Sequence, residues 1–288
     1  MTTLAQFNPT SVLREQAGLG PVLTTPRGAL YDVDCLELLG AVVDECVDTV
    51  FADPPFNLGK AYGPRVDDRL AESEYLDWGR AWIDESVRVL KPGGSLFLYN
   101  LPRWNIVFGA HLMARGLEFR NWIAISIKLG LPIPGRLYPA HYSLLYYTKG
   151  RPKTFHRIRT PIELCRHCGG EIKDYGGHRA AMNPDGVNLT DVWTDIPPVR
   201  HWKFKTRKRS SNQLSTKLLE RVIHLSTEEG GLVLDPFGGS GTTFDVAERH
   251  DRYWLGTDVE SCQTIAERMV HAGLHRHPNS DWVEPAAA

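Results

Sequence analysis

Cysteine is sparse in this chain of 288 residues: there are five, at positions 35, 46, 165, 168 and 262. They are too few and too scattered for a disulfide framework, which favours a reducing compartment. No apolar run approaches the roughly 20 residues that a membrane-spanning helix needs. The segment Met1–Ser11 has no basic stretch followed by an apolar one, so no secretory leader is expected. Neither sign of charge dominates, with 33 Lys and Arg against 34 Asp and Glu. A polyanionic partner must therefore be met by a local patch, because the chain as a whole has almost no net field. There is no internal repeat, and the only low-complexity stretch is Ala286–Ala288. What is present is the composition of a soluble globular protein, 42% hydrophobic and so able to bury a sizeable core.

One short stretch stands out. Val47–Ala52 is apolar, β-branched in part and stopped by breakers, the pattern of a buried strand. It runs into Asp53-Pro54-Pro55-Phe56. The two prolines remove backbone donors and stiffen the turn. The turn therefore presents acceptors, the Asp53 carboxylate and a proline carbonyl, beside the flat apolar face of Phe56. A planar ring with an exocyclic NH2 suits that arrangement, which describes a nucleobase. The competing interpretation is a simple turn after a strand, and a tetrapeptide alone does not decide between them.

Around this turn, alternating elements predict a mostly parallel sheet covered on both faces. Residues 1–28 form an arm broken by Pro9, Pro21 and Pro26. In residues 29–150 strands are expected at Ala29–Val33, 47–52, Ser95–Tyr99, Trp122–Ile127 and Tyr142–Tyr147. Helices are expected at Leu36–Val42, Glu72–Leu90 and Pro102–Gly116, with Trp78 and Trp82 in the core. Residues 151–210 break the pattern. Between Arg151 and Arg209 there are 13 basic and 6 acidic residues. Arg200, Lys203, Lys205, Arg207, Lys208 and Arg209 lie around Trp202 and Phe204, which fits phosphate contacts beside stacking surfaces. A solvated charged face is the other account of such a run. Residues 211–275 resume strand and helix, with a helix at Leu214–Leu225 capped by Ser211 or Asn212, strands at Leu232–Leu234 and Tyr253–Thr257, and a helix at 262–272. Residues 276–288 are a tail.

The second motif is Asp235-Pro236-Phe237-Gly238-Gly239-Ser240-Gly241-Thr242-Thr243, with Asp258 at the end of the next strand. A strand, a glycine-rich turn and a helix, with an acidic residue about twenty positions later, is nucleotide-binding grammar. Asp258 is placed to accept from two ribose hydroxyls. The glycine spacing is not that of dinucleotide sites, and a phosphate-gripping lysine is missing. Asp235 would repel a pyrophosphate and attract an ammonium group. A ligand with a ribose, an amino group and no phosphates is S-adenosylmethionine. A structural glycine turn with no ligand is the alternative.

Taken together and in this order, the two motifs resemble the β class of DNA amino-methyltransferases, in which the catalytic motif precedes the cofactor motif. The resemblance covers about residues 29 to 272. It implies a Rossmann-like methyltransferase fold with a seven-stranded, mostly parallel sheet and an inserted target-recognition region at 151–210. It implies catalysis by Asp53, Pro54, Pro55 and Phe56 on a base swung out of duplex DNA. It also implies S-adenosylmethionine held by Asp34, Cys35, Asp53, Asp235, Pro236, Phe237, Gly238, Gly239, Ser240, Gly241, Thr242 and Asp258. Lys217 and Arg221 match the segment before the glycine turn, where Gln213 fits the family pattern but Leu214-Ser215 departs from it. Aspartate at position 53 leans to adenine N6 over cytosine N4. The partners implied are double-stranded DNA, a second copy of the chain and a cognate restriction enzyme, in a cytoplasmic, nucleoid-associated setting. RNA or protein-glutamine methylation, and a DNA-binding module with a vestigial transfer site, are the rival functions. Separately, Cys165-x-x-Cys168 looks like half of a zinc knuckle, with His156, His167 and His178 as nearby candidate ligands; two ordinary loop thiols is the plainer account.

Overall fold

The computed structural model describes residues 5–60, 64–66, 68–127, 134–135, 137–162, 164, 168–171, 176–177, 181, 183–197 and 213–272. Its strands in chain order are β1 (Leu23–Thr24), β2 (Gly28–Tyr31), β3 (Val47–Ala52), β4 (Leu90–Asn100), β5 (Glu118–Ser126), β6 (His141–Thr148), β7 (Arg159–Thr160), β8 (Val187–Asn188), β9 (Val192–Trp193), β10 (Leu232–Asp235) and β11 (Tyr253–Thr257). Nine of them form one sheet in the order β1-β2-β11-β10-β3-β4-β6-β5-β9, while β7 and β8 pair separately. Strands β2, β11, β10, β3 and β4 are parallel neighbours, and only β1 and β6 run against the rest.

The expected count of seven strands is corrected to nine. Seven strands have four residues or more, and a two-residue strand is added at each edge. The edge strand β1 lies inside the arm that was expected to be irregular, and β9 lies inside the insertion. Two residues are too short for any periodicity to mark them. Strand β4 also starts earlier than expected, at Leu90, because Lys91–Gly94 stays in the ladder through a register shift against β3.

Helices α1 (Cys35–Ala41), α2 (Glu72–Val89) and α3 (Pro102–Ala114) cover one face of the sheet. Leu38, Leu39, Trp82 and Phe108 from these helices bury against Val50, Ala52, Leu98 and Leu234. Helices α4 (Thr216–Ser226), α5 (Thr242–Arg249) and α6 (Cys262–Ala272) cover the other face. There Leu218, Ile223, Phe244 and Ile265 meet Phe51, Phe97, Val233 and Trp254. Neighbours Val50 and Phe51 thus point to opposite cores, the period of two expected of a strand buried on both sides. Gly256 is required on β11, because a Cβ there would stand 2.0 Å from the Phe244 ring. The cap expected for α4 at Ser211 or Asn212 falls outside the described residues. Ser215 occupies the N-cap and makes no side-chain capping bond. Among the described residues no helix is long and apolar enough to cross a membrane.

Chain direction splits at the middle of the sheet. From β3 the chain moves outward to β4, and from β10 it moves the other way to β11. Such a switch point leaves a crevice at the carboxyl ends of the two central strands. Val233 pairs with Thr49 and Leu234 with Val50. Asp53 and Asp235, 182 positions apart in sequence, therefore leave the sheet side by side.

Candidate active site

The crevice is a cleft of about 690 Å³. Asp53, Pro54, Pro55 and Phe56 line it, as do Asp34, Cys35, Asp235, Pro236, Phe237, Gly238, Gly239, Ser240, Thr242 and Asp258. Both turns predicted from sequence therefore open into one space. Gly241 is the exception among the predicted residues. It caps α5 with φ 73°, and its missing Cβ makes room for Ile265.

The Asp53 turn is fixed from behind. The Tyr75 hydroxyl donates to the Pro55 carbonyl at 2.7 Å, and Asn100 Nδ2 donates to that hydroxyl at 3.1 Å. Trp104 Nε1 donates to the Phe56 carbonyl at 2.9 Å. Among the described residues the Pro54 carbonyl has no donor, and Pro54 lines the cleft. Beyond the turn, the buried Asp68 carboxylate accepts from the backbone N–H groups of Asn57, Leu58 and Lys60 at 2.7, 3.0 and 2.8 Å. Asn57, at φ 55°, donates its side-chain amide to the Leu70 carbonyl at 2.9 Å. These residues hold the loop after the turn in one shape.

Phe56 differs from the open platform that the sequence suggests. Its side chain is only 8% exposed, walled by Tyr99 and Tyr142 with ring centroids 6.1 and 5.9 Å away. Trp78, expected in the core, also lines the cleft, where it packs edge-on to Phe237.

At the glycine turn, Asp235 accepts from Phe237 N–H at 2.9 Å and from the Thr243 hydroxyl at 2.6 Å. Gly239, at φ 53°, turns its N–H to Asp258 at 2.8 Å. The other Asp258 oxygen accepts from Glu260 and Ser261 N–H at 2.8 and 2.6 Å. Asp258 thus ties the glycine turn to the end of β11 and lines the cleft. Asp34 caps α1 by accepting from Leu36 N–H at 2.8 Å.

Electrostatics gives the cleft a sign. Burial, and then the charge of Asp235, pushes Asp53 well above the usual carboxylate range; Lys60 partly offsets this. Burial pushes Asp235 up to about 7 against the hydrogen bonds from Thr243 and Phe237, and Asp258 adds to the rise. Asp258 is raised too, chiefly by burial. Three carboxylates strained in this way favour a cation and oppose a pyrophosphate. A sulfonium with an ammonium group, no phosphate and a ribose fits the donor set.

Several predicted residues lie elsewhere. Arg200, Lys203, Lys205, Arg207, Lys208 and Arg209 fall outside the described residues, as do Cys165, His167 and His178. Cys168 is exposed, and His156 pairs with Glu228 at 3.0 Å. Among the described residues no group of three or more His, Cys, Asp or Glu is placed to hold a metal. Lys217 and Arg221 turn away from donor chemistry and pair with Asp195 at 3.0 and 2.5 Å. Tyr99, Tyr142, Ile125 and Ile196 also line the cleft. Sequence reasoning missed Tyr99, Tyr142 and Ile125 because inside strand patterns they count simply as core, and Ile196 because it follows β9 in a stretch with no periodicity.

The profile of a family described as DNA methylase matches residues 47–267. The type II methyltransferase M.BamHI of Bacillus amyloliquefaciens is 58% identical over 250 residues, 86% of this chain. The chain spans only 58% of that relative's length. M.HpaI of Haemophilus parainfluenzae, also a type II methyltransferase, is 32% identical over 243 residues, 82% of this chain and 72% of the relative. Among solved structures, the PvuII DNA methyltransferase (cytosine-N4-specific) shares the fold, with a TM-score of 0.60 at 21% identity over 88% of this chain and 96% of that one. Matched through both turns and most of the sheet between them, the chain belongs to the N6/N4 DNA methylase family.

Proposed function

We propose that the chain transfers a methyl group from S-adenosylmethionine to the exocyclic amino group of a base swung out of duplex DNA. The observation that carries this reading is the convergence of the Asp53 turn and the Asp235 glycine turn in one carboxylate-lined, aromatic-walled cleft. The target amino group lies inside the base stack of a duplex, so the base must be extruded to reach any buried donor. When bound, S-adenosylmethionine supplies a methyl on a sulfonium, which needs no acid to leave. Asp53 and the Pro54 carbonyl accept from the two amino hydrogens and so turn the nitrogen lone pair toward the methyl. The nitrogen then gives up one proton, and Asp53, raised by burial, is a ready acceptor for it. Positioning supplies much of the rate, because both reactants are held in line. Residues 151–210 serve as the target-recognition region in this reading, and the type II naming of the relatives supports a cognate restriction enzyme.

The lean to adenine that Asp53 gave is not carried forward. Asp53 and the Pro54 carbonyl serve cytosine N4 equally well, and the cytosine-N4-specific PvuII enzyme shares the fold. The test uses S-adenosylmethionine labelled in the methyl group, offered with duplex DNA, RNA and protein in separate reactions. Label is expected in duplex DNA. Label confined to RNA or protein, or no label at all, overturns the reading.

One prediction concerns the donor side. Asp258→Ala removes a carboxylate that holds three backbone N–H groups as well as facing the cleft. Donor affinity is expected to fall about tenfold, in line with the loss of charge-assisted hydrogen bonds, while affinity for duplex DNA stays within twofold. Calorimetry with each ligand checks this, and an unchanged donor affinity removes Asp258 from the site.

A further inference from the structure

Two cleft residues are left without work by the account above. Tyr99 is 6% exposed and Tyr142 half-buried, yet both line the cleft, and neither hydroxyl has a hydrogen-bond partner among the described residues. Tyr75, Tyr147 and Tyr253 donate theirs to carbonyls at 2.7, 3.0 and 2.8 Å, whereas the Tyr146 hydroxyl, sealed in the core, also goes without a partner. A phenol buried to this degree normally finds a partner, because leaving it unbonded is costly. Unlike the sealed Tyr146 hydroxyl, those of Tyr99 and Tyr142 are open to the cleft, where a bound ligand can meet them.

Placement narrows the ligand. Asp53 leaves β3, Tyr99 sits near the end of β4, and Tyr142 sits at the start of the antiparallel β6. These are three adjacent strands at one end of the sheet. Moving across the cleft, an acceptor is followed by two donors. The two tyrosine rings stand 5.4 Å apart, with Phe56 about equally far from both, so the three rings wall one chamber of the cleft. Ile125, the cross-strand partner of Tyr142, lines the same cleft with an apolar side chain that offers no competing donor. The charge of Asp53 bears on both phenols, which places all three groups in one field.

We propose that Tyr99 and Tyr142 select cytosine as the extruded base, Tyr99 donating to ring N3 and Tyr142 to O2 while Asp53 and the Pro54 carbonyl hold the N4 amino group. This rests on the methyl-transfer reading above and extends it to the acceptor. The pairing edge of cytosine runs donor, acceptor, acceptor, and the chamber runs acceptor, donor, donor. Adenine has a ring acceptor beside its amino group but only a C–H at the third position, so it would leave the Tyr142 hydroxyl unpaired. A site built to bond a polar atom rejects a base lacking it more strongly than an apolar pocket rejects a misfit. Reading a flipped base by its pairing edge is the general mode of such enzymes. Tyr99 and Tyr142 touch substrate in this assignment but move no proton.

The first measurement is the modified nucleoside in plasmid DNA grown with the full-length chain. N4-methylcytosine is expected. N6-methyladenine as the product overturns the cytosine assignment and leaves methyl transfer intact, whereas no methylated nucleoside with purified protein and donor overturns both. Sequencing of the methylated plasmid then supplies the duplex for kinetics. Tyr99→Phe and Tyr142→Phe keep the rings and remove only the hydroxyls, and each is expected to lower kcat/KM by roughly 10- to 100-fold with donor affinity unchanged. A duplex with 3-deazacytosine at the target, lacking the N3 acceptor, should cost the wild-type protein a similar factor and cost Tyr99→Phe nothing further. The deaza duplex needs no altered protein, so it tests the contact even if a variant folds poorly. Equal losses by wild type and Tyr99→Phe on that duplex, or Tyr→Phe variants within twofold of wild type on the normal one, overturn the proposal.

Discussion

Replacing Asp53 with alanine is expected to cut the rate of methyl transfer by about a hundred- to thousand-fold, the usual loss when one preorganised polar group is taken from a reacting centre. The size follows from where Asp53 sits. Its carboxylate is buried at the end of β3 where it lines the cleft, next to the unpartnered Pro54 carbonyl. Alanine leaves one acceptor for two amino hydrogens and no group to take the departing proton. Asp53→Asn is expected to fall nearly as far, because the amide presents donors to a group that is itself a donor and cannot accept the proton. The Tyr75–Pro55 and Trp104–Phe56 bonds involve backbone carbonyls that the substitution does not touch. The turn should therefore keep its shape, and donor affinity should stay within a few-fold. Single-turnover kinetics on duplex DNA, with donor titrations alongside, separates rate from binding. An alanine variant transferring methyl at the wild-type rate would falsify the assignment.

The two turns could be found from sequence because each is a local pattern: a strand, then residues with a backbone peculiarity, then a loop or helix. Their meeting in space was legible only through the family resemblance, which set the catalytic and cofactor motifs in one site. The pairing of Val233 with Thr49 is what realises it. Other features left no local trace. Tyr99 and Tyr142 alternate with Leu98 and Ser143 as any strand residues do, and nothing in one strand tells which end of it stays uncovered. Asp68 looks like one more charged loop residue until the chain curls and sets three N–H groups on its carboxylate. Strands β1 and β9 exist because a neighbour offers them an edge, so their own two residues carry no signal. Phe56 reads as an exposed stacking platform in sequence, but the two tyrosines that enclose it come from β4 and β6. Local chemistry was written locally, and enclosure was not.

The affinity for S-adenosylmethionine should depend on pH more than is usual for a ligand whose own charge is constant over the range tested. In the free protein, burial and then the neighbouring Asp258 hold Asp235 up to about 7, against the pull of Thr243 and Phe237. Below that value Asp235 is neutral and gives a cation little reason to bind. A cationic donor favours the ionised form, so binding draws the proton off, and linkage requires affinity to fall as pH drops through the free-state value. Between about pH 5.5 and about pH 7 the dissociation constant should improve by roughly tenfold or more, the limit being tenfold per pH unit for each proton released. Stability runs the other way in the free protein. A carboxylate raised on folding binds its proton more tightly folded than unfolded. Its contribution is therefore fully present below the ordinary carboxylate value and is lost as pH rises toward about 7. The thermal shift on adding donor should accordingly grow with pH over the same window. Asp235→Asn, neutral at every pH and close in shape, is expected to flatten the affinity profile near its acid-side level and to lower donor affinity most at neutral pH. Calorimetry in two buffers of different ionisation enthalpy counts the protons released. If the variant shows the same slope as the wild type, the titrating group lies elsewhere, and the case for Asp235 as the seat of the cation goes with it.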